Sequence, residues 1–156
     1  IKFFMFSTVF AVLGSFIYGP LTDRIGPKPS VFIMLSLWLV VMGAALLSST
    51  KAAFNFIGPL AGVSLGATWI SSRTYLVALS PVEKSAEFFG LYSLSGKSAS
   101  SIGPLVWSAV VLLATPLGDI AAQKAAVVSL MVFIVIAMVL VAGVPNVRPT
   151  KENVLQ

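Results

Sequence analysis

Two basic residues sit where this chain has least use for charge. Lys97 lies inside the apolar run Phe88–Leu105, and Arg73 lies inside Phe54–Leu79. At ~100° per residue, Gly90, Ser93, Lys97, Ser100, Ser101 and Pro104 fall on one helix face. Leu91, Leu94, Ile102 and Leu105 lie on the other side. A small, polar stripe around a cation, backed by an apolar one, is the pattern of a cavity-lining helix. Counted from Phe88 at ~1.5 Å per residue, Lys97 is ~13 Å deep, near the middle of a ~30 Å hydrocarbon core. A lysine there is too deep to snorkel easily and is costly unless something meets it. The plainer alternative is a lysine paired to backbone carbonyls or to an acid elsewhere in the protein.

Arg73 stands ~9 Å from the helix end if that end is Leu79. It shares a stripe with Gly58, Gly62, Gly66 and Trp69, where glycines at four-residue spacing admit a close neighbour. Trp69, one turn away, can stack on the guanidinium. The plainer alternative is an arginine reaching the interface or pairing with Asp23, Glu83 or Glu87. If the two helices pack together, Arg73 and Lys97 jointly face one cavity. That would suit an anionic group such as an amino-acid carboxylate.

The elements that carry these residues follow from composition. The chain is 58% hydrophobic and only 10% charged, with mean hydropathy +1.01. A soluble domain has about 25% charged residues. Five apolar segments run Phe3–Tyr18, Val31–Ser49, Phe54–Leu79, Phe88–Leu113 and Ile120–Val144, and a spanning helix needs ~20 residues. The expected class is an all-α polytopic membrane protein with the lipid bilayer as its first partner. The chain begins at Ile1, already within an apolar run, and is expected to be a fragment. No basic leader or cleavage site marks the first segment as a signal peptide.

Several classes of chemistry are not expected. The net charge of +5 is spread through the loops without a Lys/Arg run, so nucleic acid is not an expected partner. The chain contains no Cys and no His. Thiolate and imidazole chemistry are therefore absent from it, and no metal site, cofactor or intramembrane enzyme centre is expected. Gly90 to Ser98 has the look of a phosphate-binding loop, but with five residues between the glycines and no preceding strand it is not one. No Asp or Glu lies inside a spanning segment. A proton-coupled process would need a carboxylate elsewhere, or Glu87.

The links are short and rich in turn formers, so successive helices should alternate in direction. Arg24, Lys28, Lys84, Arg148 and Lys151 fall on one side, and Lys2, Lys51 and Lys124 on the other. The positive-inside rule makes the first side, with the C-terminus, cytoplasmic. Ser80-Pro-Val-Glu83 reads as a capping box, and Glu87 suits a helix start. The stretch Gly19–Lys28 reads as a tight charged loop. In it Gly19 and Gly26 allow the reversal, Asp23 and Arg24 can pair, and Pro29 starts the next helix. Residues 146–156 are expected to be a disordered cytoplasmic tail.

Gly19-x-x-x-Asp23-Arg24-x-Gly26-x-Lys28 resembles the loop motif of the major facilitator superfamily, with Pro27 where that family often has a basic residue. The motif recurs there between helices 2 and 3 and between helices 8 and 9. Four spanning segments follow it here, so the resemblance implies helices 8–12 of a twelve-helix transporter. Residues 1–145 would then be its C-terminal membrane half, lacking the first helix of that half. Glu87-Phe-Phe-Gly-Leu-Tyr92, Ser95-Gly-Lys97 and Gly103-Pro-Leu105, preceded by Ser72-Arg73 and Pro81, resemble the vacuole-effluxer-like branch of autophagy-related amino-acid effluxers. That likeness implies alternating-access transport of small solutes, amino acids or related metabolites, with a proton as a candidate co-substrate. It also implies an N-terminal half of the same transporter as partner. The location would be a bacterial inner membrane, or a vacuolar membrane in a eukaryote. In the superfamily helices 9 and 12 face lipid, and the matching segments here are the two most uniformly apolar. A non-transporting scaffold or sensor on the same fold is the alternative.

Overall fold

The computed structural model describes residues 2–48 and 51–146. The described residues form five helices: α1 (Lys2–Ile25), α2 (Pro27–Leu47), α3 (Lys51–Leu79), α4 (Ser85–Ala114) and α5 (Asp119–Gly143). Short 3-10 turns at Val82–Lys84 and Thr115–Leu117 flank α4. Three runs are long and apolar enough to cross a membrane: Pro27–Leu47, Val82–Leu117 and Asp119–Gly143. The expected all-α polytopic class is what the chain forms. The tail beyond Asn146, with Arg148 and Lys151, lies outside the described residues.

The helix ends differ from the sequence expectation, most of all at Gly19–Lys28. This stretch is not a loop. α1 continues through Gly19 and Pro20 to Ile25, and only Gly26 leaves the helix. Pro20 merely forgoes one backbone donor, and α1 is long enough to carry on past it. Gly26 has φ 93° and ψ 161°, a conformation open to glycine and strained for any side chain. Pro27, not Pro29, stands first in α2, where a missing N–H is harmless. Gly118, φ 99° and ψ 151°, makes the same one-residue break before α5.

The capping box at Ser80 does not form either. Ser80 Oγ donates backwards to Leu76 O at 2.7 Å, and the turn after Pro81 has no side-chain cap. A serine just past a helix finds the last carbonyls of that helix as close as the amides ahead. Glu87 does stand in the first turn of α4.

Packing is closest between α1 and α3, and α2 packs on α3 and then on α5. α1, α2 and α3 are held together through α3, and α4 pairs with α5. The α1–α3 contact is made by glycines. A Cβ on Gly62 would stand 2.2 Å from Ser7 O, and one on Gly66 2.2 Å from Ala11 O. Ser7 Oγ also donates to Gly58 O at 3.1 Å. The glycine stripe read from sequence therefore faces α1. The pairing of Gly62 with Ser7 and Ala11, and of Gly66 with Ala11 and Ser15, shows that the two helices run in the same direction.

The core gathers Tyr18, Val31, Met34, Ala67 and Tyr75, with Val141 and Val144 from the end of α5 against it. Tyr18 Oη donates to Ser30 O at 2.8 Å. Thr22 Oγ1 donates to Tyr18 O at 2.8 Å, which leaves Ser30 Oγ to donate to Thr22 Oγ1 at 2.6 Å. These buried hydroxyls lock the one-residue reversal at Gly26. α2 touches α1, α3 and α5 and exposes the stripe Ile33, Ser36, Val40 and Leu47. It is thus a bridging helix with one outward stripe rather than a helix exposed all round. α5 buries only Ala122 and Ala126 and leaves most of its large apolar side chains open.

Candidate functional site

Lys97 is 12 residues into the 30-residue α4, close to its midpoint. That is ~18 Å from the helix start. Its side chain is exposed, as are Ser93, Ser100, Ser101 and Pro104. α4 packs on the other side. Ser98, Ile102, Gly103 and Val106 line a groove of about 460 Å³ closed by Leu130 and Phe133 of α5. The Lys97 stripe accordingly faces away from α5. Ser100 Oγ donates to Lys97 O at 2.7 Å, and Ser101 Oγ to the same carbonyl at 3.4 Å. These hydroxyls are turned to their own backbone, which leaves only their acceptor lone pairs outward.

Arg73 is exposed on α3, six residues before Leu79. The structure does not bring Arg73 and Lys97 together. α3 and α4 barely touch, and the bond between them joins Ser72 Oγ and Tyr92 Oη at 2.9 Å. Ser72 Oγ already donates to Thr68 O at 2.5 Å, so Tyr92 is the donor across the seam. Opposed positions run in opposite directions from that bond, which separates Arg73 from Lys97 by ~9 Å along the helix axes. The physical reason is the side on which α4 packs: Tyr92 and the groove residues lie behind Lys97, not beside it. Among the described residues neither cation has a hydrogen-bond or ion-pair partner for its charged head. Arg73 pairs with none of Asp23, Glu83 or Glu87, and Asp23 does not pair with Arg24.

In the Gly19–Lys28 motif, Asp23 and Arg24 are exposed at the end of α1. Lys28 has a defined role. Its Nζ donates to Ala142 O at 2.9 Å and to Val144 O, two carbonyls at the end of α5. Those groups have no partner within their own helix, and a cation there also meets the negative end of the helix dipole.

Sequence reasoning passed over one feature beside Arg73. Trp69 is 58% exposed. It borders a crevice of about 290 Å³ between α1 and α3, with Thr8, Val12 and Ser15 opposite and Leu65 beneath. The i, i+4 row Leu65–Trp69–Arg73 could have marked it.

The chain has relatives among known proteins. The profile of the Major Facilitator Superfamily matches residues 3–155. The chain belongs to that superfamily, which is one of membrane transporters. It is 32% identical over 136 residues to a Bacillus subtilis (strain 168) protein described as "Uncharacterized MFS-type transporter YxiO", covering 87% of this chain and 30% of that one. It is 33% identical over 106 residues to an uncharacterized protein of Aquifex aeolicus (strain VF5), covering 66% and 27%. The chain thus spans about three-tenths of the length of the curated relatives it matches. No solved structure matches it.

Proposed function

We propose that α1–α5 are helices 8–12 of an alternating-access transporter, and that residues 1–145 work as its C-terminal membrane half against an N-terminal half of the same protein. The observation that carries this reading is the Lys97 stripe. A mid-helix lysine on a membrane-length helix, turned away from its packing partner α5, needs water or a polar partner in front of it. A solute pathway between two rocking halves supplies both. The motif at the α1–α2 junction and the four helices after it support the placement.

The solute is an amino acid or a related small carboxylate, exported from the compartment. Support comes from the two cations without counter-charges and from the resemblance of Glu87–Tyr92, Ser95–Lys97 and Gly103–Leu105 to amino-acid effluxers. Lys97 and Arg73 meet the solute, with Ser93, Ser100 and Ser101 offering acceptors beside Lys97. Gly19, Asp23, Arg24, Gly26 and Lys28 serve the conformational change. The C-terminus and residues 146–156 are cytoplasmic, at a bacterial inner membrane or, in a eukaryote, a vacuolar one.

The test is a panel of amino acids and other carboxylates with the full-length protein in proteoliposomes, with and without a pH gradient. Lys97→Ala is expected to abolish or strongly lower flux while the yield of folded protein holds. Undiminished flux in that variant removes Lys97 from the pathway. A dependence on the pH gradient would make the proton a co-substrate.

A further inference from the structure

Trp38 of α2 and Trp69 of α3 are treated differently. Trp38 Nε1 donates to Thr68 Oγ1 at 2.9 Å. Trp69, by contrast, is 58% exposed, and its indole N–H has no partner among the described residues. It lies ten residues before Leu79, ~15 Å from the end of α3 and so near mid-membrane. Lipid-facing tryptophans gather at the interfaces, where the N–H finds water. An open indole N–H in hydrocarbon at mid-depth is unfavourable. Trp69, like Lys97, therefore needs water or a polar partner in front of it, and the solute pathway proposed above supplies one at the α1–α3 crevice.

The crevice suits an apolar guest. Ser15 Oγ donates to Ala11 O at 2.9 Å and Ser7 Oγ to Gly58 O, so these hydroxyls are engaged by backbone. Val12, Leu65 and the indole face supply the rest of the wall. The glycine contacts beneath allow neither helix to shift inward. The volume of about 290 Å³ admits an aliphatic or aromatic side chain. Arg73 follows Trp69 by one turn on the same row, ~6 Å further along the helix. That spacing matches the reach from the carboxylate of an amino acid to the body of its side chain.

We infer that the α1–α3 crevice is a specificity pocket for apolar amino acids, in which Trp69 packs on the side chain while Arg73 holds the carboxylate. This rests on the transporter reading above and names its substrate class. It assigns selection of the side chain to Trp69 and general affinity to Arg73.

The experiment uses the full-length protein in proteoliposomes and two readouts. The first is labelling of Trp69→Cys by a water-soluble maleimide, read against the parent protein so that any cysteine outside these cysteine-free 156 residues is subtracted. Labelling is expected, and leucine and phenylalanine should slow it while serine does not. The second is transport of leucine, phenylalanine and serine. Trp69→Ala is expected to raise KM for the first two by on the order of tenfold or more, as for lost apolar contacts in a pocket, with serine nearly unchanged. Trp69→Phe should restore most of the loss. Absence of labelling, equal protection by serine, or an equal loss for all three solutes overturns the pocket while leaving wild-type amino-acid transport intact. A wild-type protein that carries no amino acid removes the transporter reading's substrate class, and the pocket assignment with it.

Discussion

A hydroxyl can take part in two bonds at once, and Ser72 does so at the seam between α3 and α4. It donates to Thr68 O and accepts from Tyr92 Oη. Tyr92→Phe leaves Ser72 bonded to its own helix and removes the link across the seam. The expected loss is about 1 kcal/mol of unfolding free energy, read from denaturation in detergent. Ser72→Ala should lose as much, and the double variant no more than either single one. Additive losses would mean that the two residues act separately. The sequence carried the Lys97 stripe clearly, since an unbroken helical count puts Ser93, Lys97, Ser100 and Ser101 on one face. It placed Trp69 beside Arg73 but carried neither the Tyr92 bond nor the crevice at Trp69. A tyrosine whose partner is 20 positions away has no local signature, and a crevice at a tryptophan needs the helix opposite as well as the row it stands on. The separation of Arg73 from Lys97 along α3 and α4 was hidden for the same reason, because periodicity does not say which face of α4 meets which neighbour.

Glycines of equal standing in the sequence separate sharply once the helices are packed. A Cβ at Gly62 or Gly66 would collide with backbone oxygens of α1 at 2.2 Å, and backbone cannot swing aside as a side chain can. Gly62→Ala should destabilise by about 1–3 kcal/mol, as overpacking does. Gly43, inside α2, has nothing within 4 Å of the same position. Gly43→Ala should instead stabilise by about 0.5–1 kcal/mol, since a helix interior favours Ala over Gly. Melting temperatures of the two variants moving in the same direction would contradict the packing of α1 on α3. The stripe of three glycines was legible because four-residue spacing has a direct meaning in a helix. The ends of the elements were less so. Pro20 and the polar run after it read as a break, but in a membrane helix a single lost donor does not outweigh the pull to keep all other backbone groups bonded.

At the scale of the molecule, the α1–α3 group and the α4–α5 pair meet through α2, whose Lys28 grips the last carbonyls of α5. Lys28→Met should raise amide exchange over residues 140–144 and lower stability by about 1 kcal/mol, with Lys28→Arg close to wild type. Unchanged exchange at the end of α5 would show that the grip does not hold the pair. Fold class was plain from hydropathy alone, whereas the division into group and pair depends on contacts no composition reports. The two glycine reversals carry a consequence for how such a chain is made. Gly26 N–H donates to Thr22 O and its carbonyl accepts from Ser30 N; Gly118 is bonded in the same way to Thr115 and Ala122. Each turn is thus closed by the glycine's own two backbone bonds, without help from any other helix. α4–α5 is therefore suited to insertion as a finished hairpin. In the orientation proposed above, the turn that must be carried across is the one at Gly118, where Asp119 is the nearest charge, while the charge-rich turn at Gly26 stays on the side of synthesis.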